Sequence, residues 1–101
     1  MRKIINNRAY DTQTADWLGI YTNNLPNSDF RSFEEVLYRK KNGEFFLRCS
    51  GGALTKYATV CGDNRGWGDA IQVLAETEAK MWAETHLTGE EYEEIFGKVE
   101  E

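Results

Sequence analysis

The sequence predicts an α+β fold: a small antiparallel sheet around a central Asn-Gly hairpin, with one N-terminal helix and two C-terminal helices packed on it. Three observations carry that prediction. Two strand-like runs flank Asn42-Gly43, a dipeptide that favours tight hairpin turns. Alanine and glutamate dominate from Ala75 onward, with apolar residues at helical spacing. Thr88-Gly89-Glu90-Glu91 then reads as a capping box that opens a second helix. A length of 101 residues fits one domain over residues 1–101, and 13% aromatic residues can fill one small core with large rings.

Taken in order, Lys3-Ile4-Ile5 and Ala9-Tyr10 suit two very short strands. Asn6-Asn7 tolerates the positive φ of a tight turn between them. Asp11 or Thr12 can cap a helix running to Tyr21, with Ala15, Leu18 and Tyr21 or Thr22 as its inner stripe. Trp17 and Tyr21, four residues apart, would stack on a neighbouring face. Asn23 to Ser28, with the only proline at Pro26, ends that helix in a loop.

The hairpin comes next. A two-residue turn at Asn42-Gly43 pairs Lys41 with Glu44, Arg39 with Phe46 and Leu37 with Arg48. One face then carries Val36, Tyr38, Phe45, Leu47 and Cys49, and is taken as the core face. The other carries Leu37, Arg39, Phe46 and Arg48. Ser50 to Tyr57 reads as a glycine bend into a short strand or turn, Cys61 to Asp69 as loop, and Ile71 to Leu74 as a last short strand. A helix follows to about His86, with an inner stripe of Ala79, Trp82, Ala83 and His86 or Leu87. In the final helix Tyr92, Ile95 and Phe96 face inward and Gly97 closes it, while residues 98–101 are expected to fray.

Composition excludes several function classes. No apolar run is long enough to span a membrane, and Met1 to Asn6 lacks a stretch of signal-peptide length, so a cytoplasmic location is expected. Cys49 and Cys61, with His86, are too few for a closed zinc site, and free thiols are expected. Consecutive glutamates in Glu90-Glu91 and Glu93-Glu94 point to different sides of a helix and do not converge as an acid/base pair. Gly62 to Gly68 lacks the Gly-Lys-Ser/Thr of a phosphate loop. No enzyme, cofactor or metal is expected. His86, in a last helical turn, is assigned a structural role.

Surface chemistry offers more. The net charge is −5, and from Glu76 onward the only basic residues besides His86 are Lys80 and Lys98. That weighs against direct nucleic-acid binding, which needs lysine and arginine for phosphates. It suits a basic partner surface, or it simply solvates two amphipathic helices. Glu90, Glu91, Glu93 and Glu94 are the candidate contacts there. Arg39, Phe46 and Arg48 would form a basic, aromatic face, either a hot spot or base-stacking platform, or a covered face on which arginine stems shield Phe46. Trp67, with Arg65 in a glycine-rich loop, either plugs the core or anchors a partner. Trp17, beside Asp16, is the third candidate.

Lys3-Ile4-Ile5-Asn6, Tyr10 to Ala15, Glu34 to Tyr38, Asn42 to Leu47, Gly51 to Ala58, Ala79 to Glu84 and Tyr92 to Gly97 together cover most of the chain. In these segments it resembles a family of small acidic proteins carried by mobile elements of Gram-positive bacteria, which includes type II anti-CRISPR proteins. The resemblance implies an inhibitor of Cas9 in the bacterial host cell that binds the nuclease or its guide-RNA complex and interferes with guide RNA or target DNA engagement; a monomer or homodimer is expected. A small RNA- or DNA-binding module acting through the hairpin face is the alternative. Ala75 departs from the family's usual serine or aspartate cap, Trp17 replaces a usual charge, and Arg65-Gly66-Trp67 falls in the variable loop.

Overall fold

A computed structural model describes residues 1–101. Asn6 and Asn7 both adopt positive φ, 51° and 64°, and join β1 (Arg2–Ile5) to β2 (Arg8–Asp11), as their tolerance of that region predicts. The main sheet contains β3 (Asp16–Thr22), β4 (Phe33–Arg39), β5 (Phe45–Gly51) and β8 (Gly68–Leu74). It is antiparallel throughout, in the order β3-β4-β5-β8. A separate ribbon, β6 (Thr59–Cys61) with β7 (Asn64–Gly66), lies between β5 and β8 in the chain. Helices α1 (Glu76–His86) and α2 (Gly89–Phe96) complete the molecule.

The predicted N-terminal helix is a strand instead. With 42% of residues in strands and 19% in helices, the protein is sheet-rich: eight strands in three sheets, and two helices, both C-terminal. Trp17, Ile20, Tyr21 and Thr22 are aromatic or β-branched and pack well on a pleated surface, and Gly19 would weaken a helix interior by about 1 kcal/mol. Gly19 has a further role. A Cβ there would lie 2.9 Å from Leu87 Cδ2, so its absence lets the end of α1 settle on the strand. Trp17 and Tyr21 are therefore not helical neighbours, and Tyr21 lies against His86 with ring centroids 4.0 Å apart.

The β4–β5 hairpin forms, but one residue out of the predicted register. Lys40 N donates to Glu44 O at 2.7 Å and Gly43 N to Lys40 O at 2.8 Å, which makes a three-residue loop with Gly43 at φ +93°. Leu37 consequently pairs with Leu47, Tyr38 with Phe46 and Arg39 with Phe45. A slip of one residue turns a whole strand over. Leu37 moves to the helix side, while Val36 and Tyr38 move to the opposite side. Both faces of the sheet centre are covered, so alternation along the strand could not choose between the registers.

One core fills the helix side: Leu37, Phe45, Leu47, Cys49 and Leu74 meet Ala79, Trp82 and Ala83 of α1. Phe96 of α2 packs on Phe45, with centroids 5.5 Å apart. The second core joins Tyr10, Phe46 and Ile71 on the other face. There Phe46 is stacked on Tyr38 and meets Tyr10 edge-on, so the β1–β2 hairpin caps the sheet. Glu44 fastens that cap by accepting from Arg8 Nη1 at 2.8 Å and Tyr10 Oη at 3.0 Å. No helix is long and apolar enough to cross a membrane.

Candidate functional site

The two helices gather the acidic residues into one layer. With the five residues that follow them, they hold nine glutamates and two lysines, which gives residues 76–101 a charge of −7, leaving +2 on the rest of a chain of net −5. Apolar spacing fixes the orientation: Ala79, Trp82 and Ala83 are buried, Tyr92, Ile95 and Phe96 are half-buried, and the glutamates turn out. Ala75 has no capping side chain, but its N–H donates to Glu78 Oε1 at 2.8 Å, which preserves half of a capping box. Thr88 forms the complete box predicted for it: Glu91 N donates to its Oγ1 at 3.2 Å, and Thr88 N donates to Glu91 Oε1 at 2.9 Å. Gly97 closes α2 at φ 93°.

Those bonds occupy part of the acidic set. Glu76 pairs with Lys80, Glu78 and Glu91 serve caps, and Glu93 Oε2 accepts from Val99 N. Glu84, Glu90 and Glu94 remain exposed, without an ion-pair partner. Between the end of α1, α2 and the last residues runs a groove of about 840 Å³ with Ala83, Leu87 and Tyr92 as apolar floor and Glu84, Glu93 and Glu100 among its polar lining. Lys98 is the one cation in that lining, so an apolar floor beneath an excess of carboxylates can hold an amphipathic, cationic group.

No protein-family model, curated protein or solved structure matches the chain.

The other predicted contacts are scattered. Phe46 is fully buried between Tyr10 and Tyr38, so it is not available as a stacking platform. Arg39 lies on the opposite side of the sheet, where its Nη1 donates to Ile95 O at 3.4 Å. Arg48 shares the face of Phe46 but is spoken for: Nη2 donates to Asp69 Oδ1 at 2.8 Å, Glu34 is 4.0 Å away, and its buried Nε has no partner. The slip in register separates this trio. Arg65, on β7, donates to the carbonyls of Ala53 and Thr55 and steadies that loop. Trp67, the single residue between β7 and β8, is 43% exposed, and Trp17 on β3 is 57% exposed. Both are free to make contacts.

Two features escaped the sequence reading. The span from Cys61 to Asp69 is not a plain loop, because Gly62-Asp63 is a two-residue turn between β6 and β7, and β8 begins at Gly68. Glycine first in such a turn was the available signal. Every residue of the ribbon is exposed, including Cys61, whereas Cys49 is buried. The second feature is Glu35, buried on the helix side by the register shift. Its Oε1 accepts from Trp82 Nε1 at 2.9 Å, its Oε2 accepts from Tyr57 Oη, and Lys56 Nζ is 3.9 Å away. Burial, and then the bond to Glu35, push Tyr57 well above the usual phenol range, and burial pushes the Cys49 thiol up. Both Glu35 oxygens are engaged, so the network bolts α1 to the sheet. His86 is held between Tyr21 and Trp82, a packing role. No group of three or more His, Cys, Asp or Glu residues is placed to hold a metal ion.

Proposed function

We propose that this protein is an anti-CRISPR protein that binds Cas9 and presents its acidic helix layer to a basic nucleic-acid groove, competing with guide RNA or target DNA. One observation carries this reading: a charge of −7 concentrated in the two helices and the five residues after them, with Glu84, Glu90 and Glu94 unpaired, on a body that is slightly positive. CRISPR effectors hold nucleic acid in positively charged channels, so an electronegative surface of this kind finds a complementary target there. The resemblance to mobile-element proteins of Gram-positive bacteria supports the choice of nuclease. Against direct nucleic-acid binding stands the arrangement of the cations. Phe46 is buried, and Arg39 and Arg48 lie on opposite faces, each already bonded.

The test is inhibition of Cas9 cleavage by the wild type and by the triple variant Glu84→Lys, Glu90→Lys, Glu94→Lys. These residues serve no cap and no core contact, so the fold is retained, as circular dichroism would verify. Inhibition should weaken at least tenfold. Undiminished inhibition by the folded variant would refute the acidic-competitor mechanism.

A further inference from the structure

From the geometry of β3 we infer that its open edge receives an extended, Lys- or Arg-bearing segment of a partner protein as an added strand. Strand β3 is seven residues long and has β4 as its only neighbour. Asn23 N donates inward to Phe33 O, so alternate residues Tyr21 and Gly19 turn toward β4, while Ile20 and Thr22 direct their backbone groups outward. Natural edge strands are usually blunted by lysine, proline or a covering element. Here neither residue occurs in the strand, and its one charge, Asp16, is tied to Lys41 at 2.6 Å. A bulge between Trp17 and Gly19 disturbs only the first part, leaving Gly19 to Thr22 in regular register. Trp17 and Ile20, 57% and 42% exposed, flank this edge on the face away from the helices. The opposite edge is less inviting, because β8 exposes Asp69 and Gln72 and its Gly68 is pressed against the Tyr57 carbonyl.

Charge decides the occupant. Leu87 rests on Gly19 and also forms part of the floor of the acidic groove, so that groove begins directly above β3. A second copy paired antiparallel through β3 would keep its helices on the same side of the joined sheet, setting two layers of −7 next to each other. A cationic strand meets attraction at the same place. Side chains of an added strand alternate between the faces, so the fitting pattern is basic residues toward the groove and apolar residues beside Trp17 and Ile20. This rests on the reading of an acidic binding protein, and not on Cas9 being its partner.

The probe is an acetylated, amidated heptapeptide of alternating lysine and valine, titrated into the 15N-labelled full chain. Amide shifts and slowed hydrogen exchange at Ile20 and Thr22 are expected, weakening with salt. The glutamate–valine counterpart should fail to bind. Ile20→Pro removes an outward N–H that no internal bond uses, and edge strands tolerate proline. It should reduce binding at least tenfold. Should that variant unfold, Ile20→Lys serves the same purpose by placing a like charge on the edge. Shifts confined to α2 or β8, equal binding of the acidic peptide, or a wild-type dimer through β3 would overturn the inference. Peptide binding at β3 without capture of Cas9 supports it and refutes only the choice of nuclease.

Discussion

Glu35, on β4, accepts one hydrogen bond from the segment between β5 and β6, through Tyr57, and one from α1, through Trp82 Nε1. Replacing Trp82 with Phe keeps most of the ring but leaves a buried carboxylate oxygen without its donor. That should cost about 1–3 kcal/mol in urea unfolding, beyond the effect of lost volume. Nearby, Cys49 and Tyr57 are held neutral, with their pKa values raised chiefly by burial. A raised pKa means stability that is complete below the pH at which the unfolded group ionises, and lost as pH rises through the folded value. Cys49 ionises first in the unfolded chain, at about 8.5, so melting temperature should begin to fall above that pH. In Cys49→Ala the fall should begin later, near the range where an unfolded tyrosine ionises. A wild-type melting temperature flat from pH 8 to 10 would contradict this account.

At the scale of elements, the caps separate what local chemistry decides from what packing decides. Ala75 offers α1 no side-chain acceptor, and only the Glu78 half of the box is made. Ala75→Asp supplies the acceptor and a negative charge at the helix N-terminus, so stability should rise by about 0.5–2 kcal/mol. Thermal unfolding measures it, and an unchanged or lowered midpoint would show that the exposed N–H groups are already satisfied. The same local logic made the Thr88 box, the end of α2 at Gly97, the inner stripe of α1 and the Asn6-Asn7 turn legible in the sequence. It failed at β3, where Ala15, Leu18 and Tyr21 matched a helical period over too few turns to outweigh aromatic and β-branched residues. It failed again in the β4–β5 register, because Leu37 and Tyr38 are each apolar and each face of the sheet is covered. The site inherits that difficulty. Acidic residues on helices α1 and α2 could be read directly, whereas the fates of Phe46, Arg39 and Glu35 depended on a one-residue choice of register.

Taken whole, the molecule is polarised across its layers: carboxylates on the helices, and a slightly positive body of strands. Long-range attraction acts within about 10 Å at ordinary salt, so the helix layer must approach a basic surface closely for its charge to matter. The open edge of β3 lies beside that layer and offers backbone hydrogen bonds that charge alone would not supply. Under the proposed function the two act together: charge brings the acidic layer to a cationic groove of the partner, and the strand edge adds hydrogen bonds there. The most direct measurement is capture of Cas9 on the immobilised protein, with the nuclease free of guide RNA, loaded with it, and loaded with guide and target DNA together. Strong capture that is lost once the competing nucleic acid, guide or target, is bound is the predicted result. Equal capture of every form, or of none, would contradict the claim that the acidic layer occupies a nucleic-acid groove.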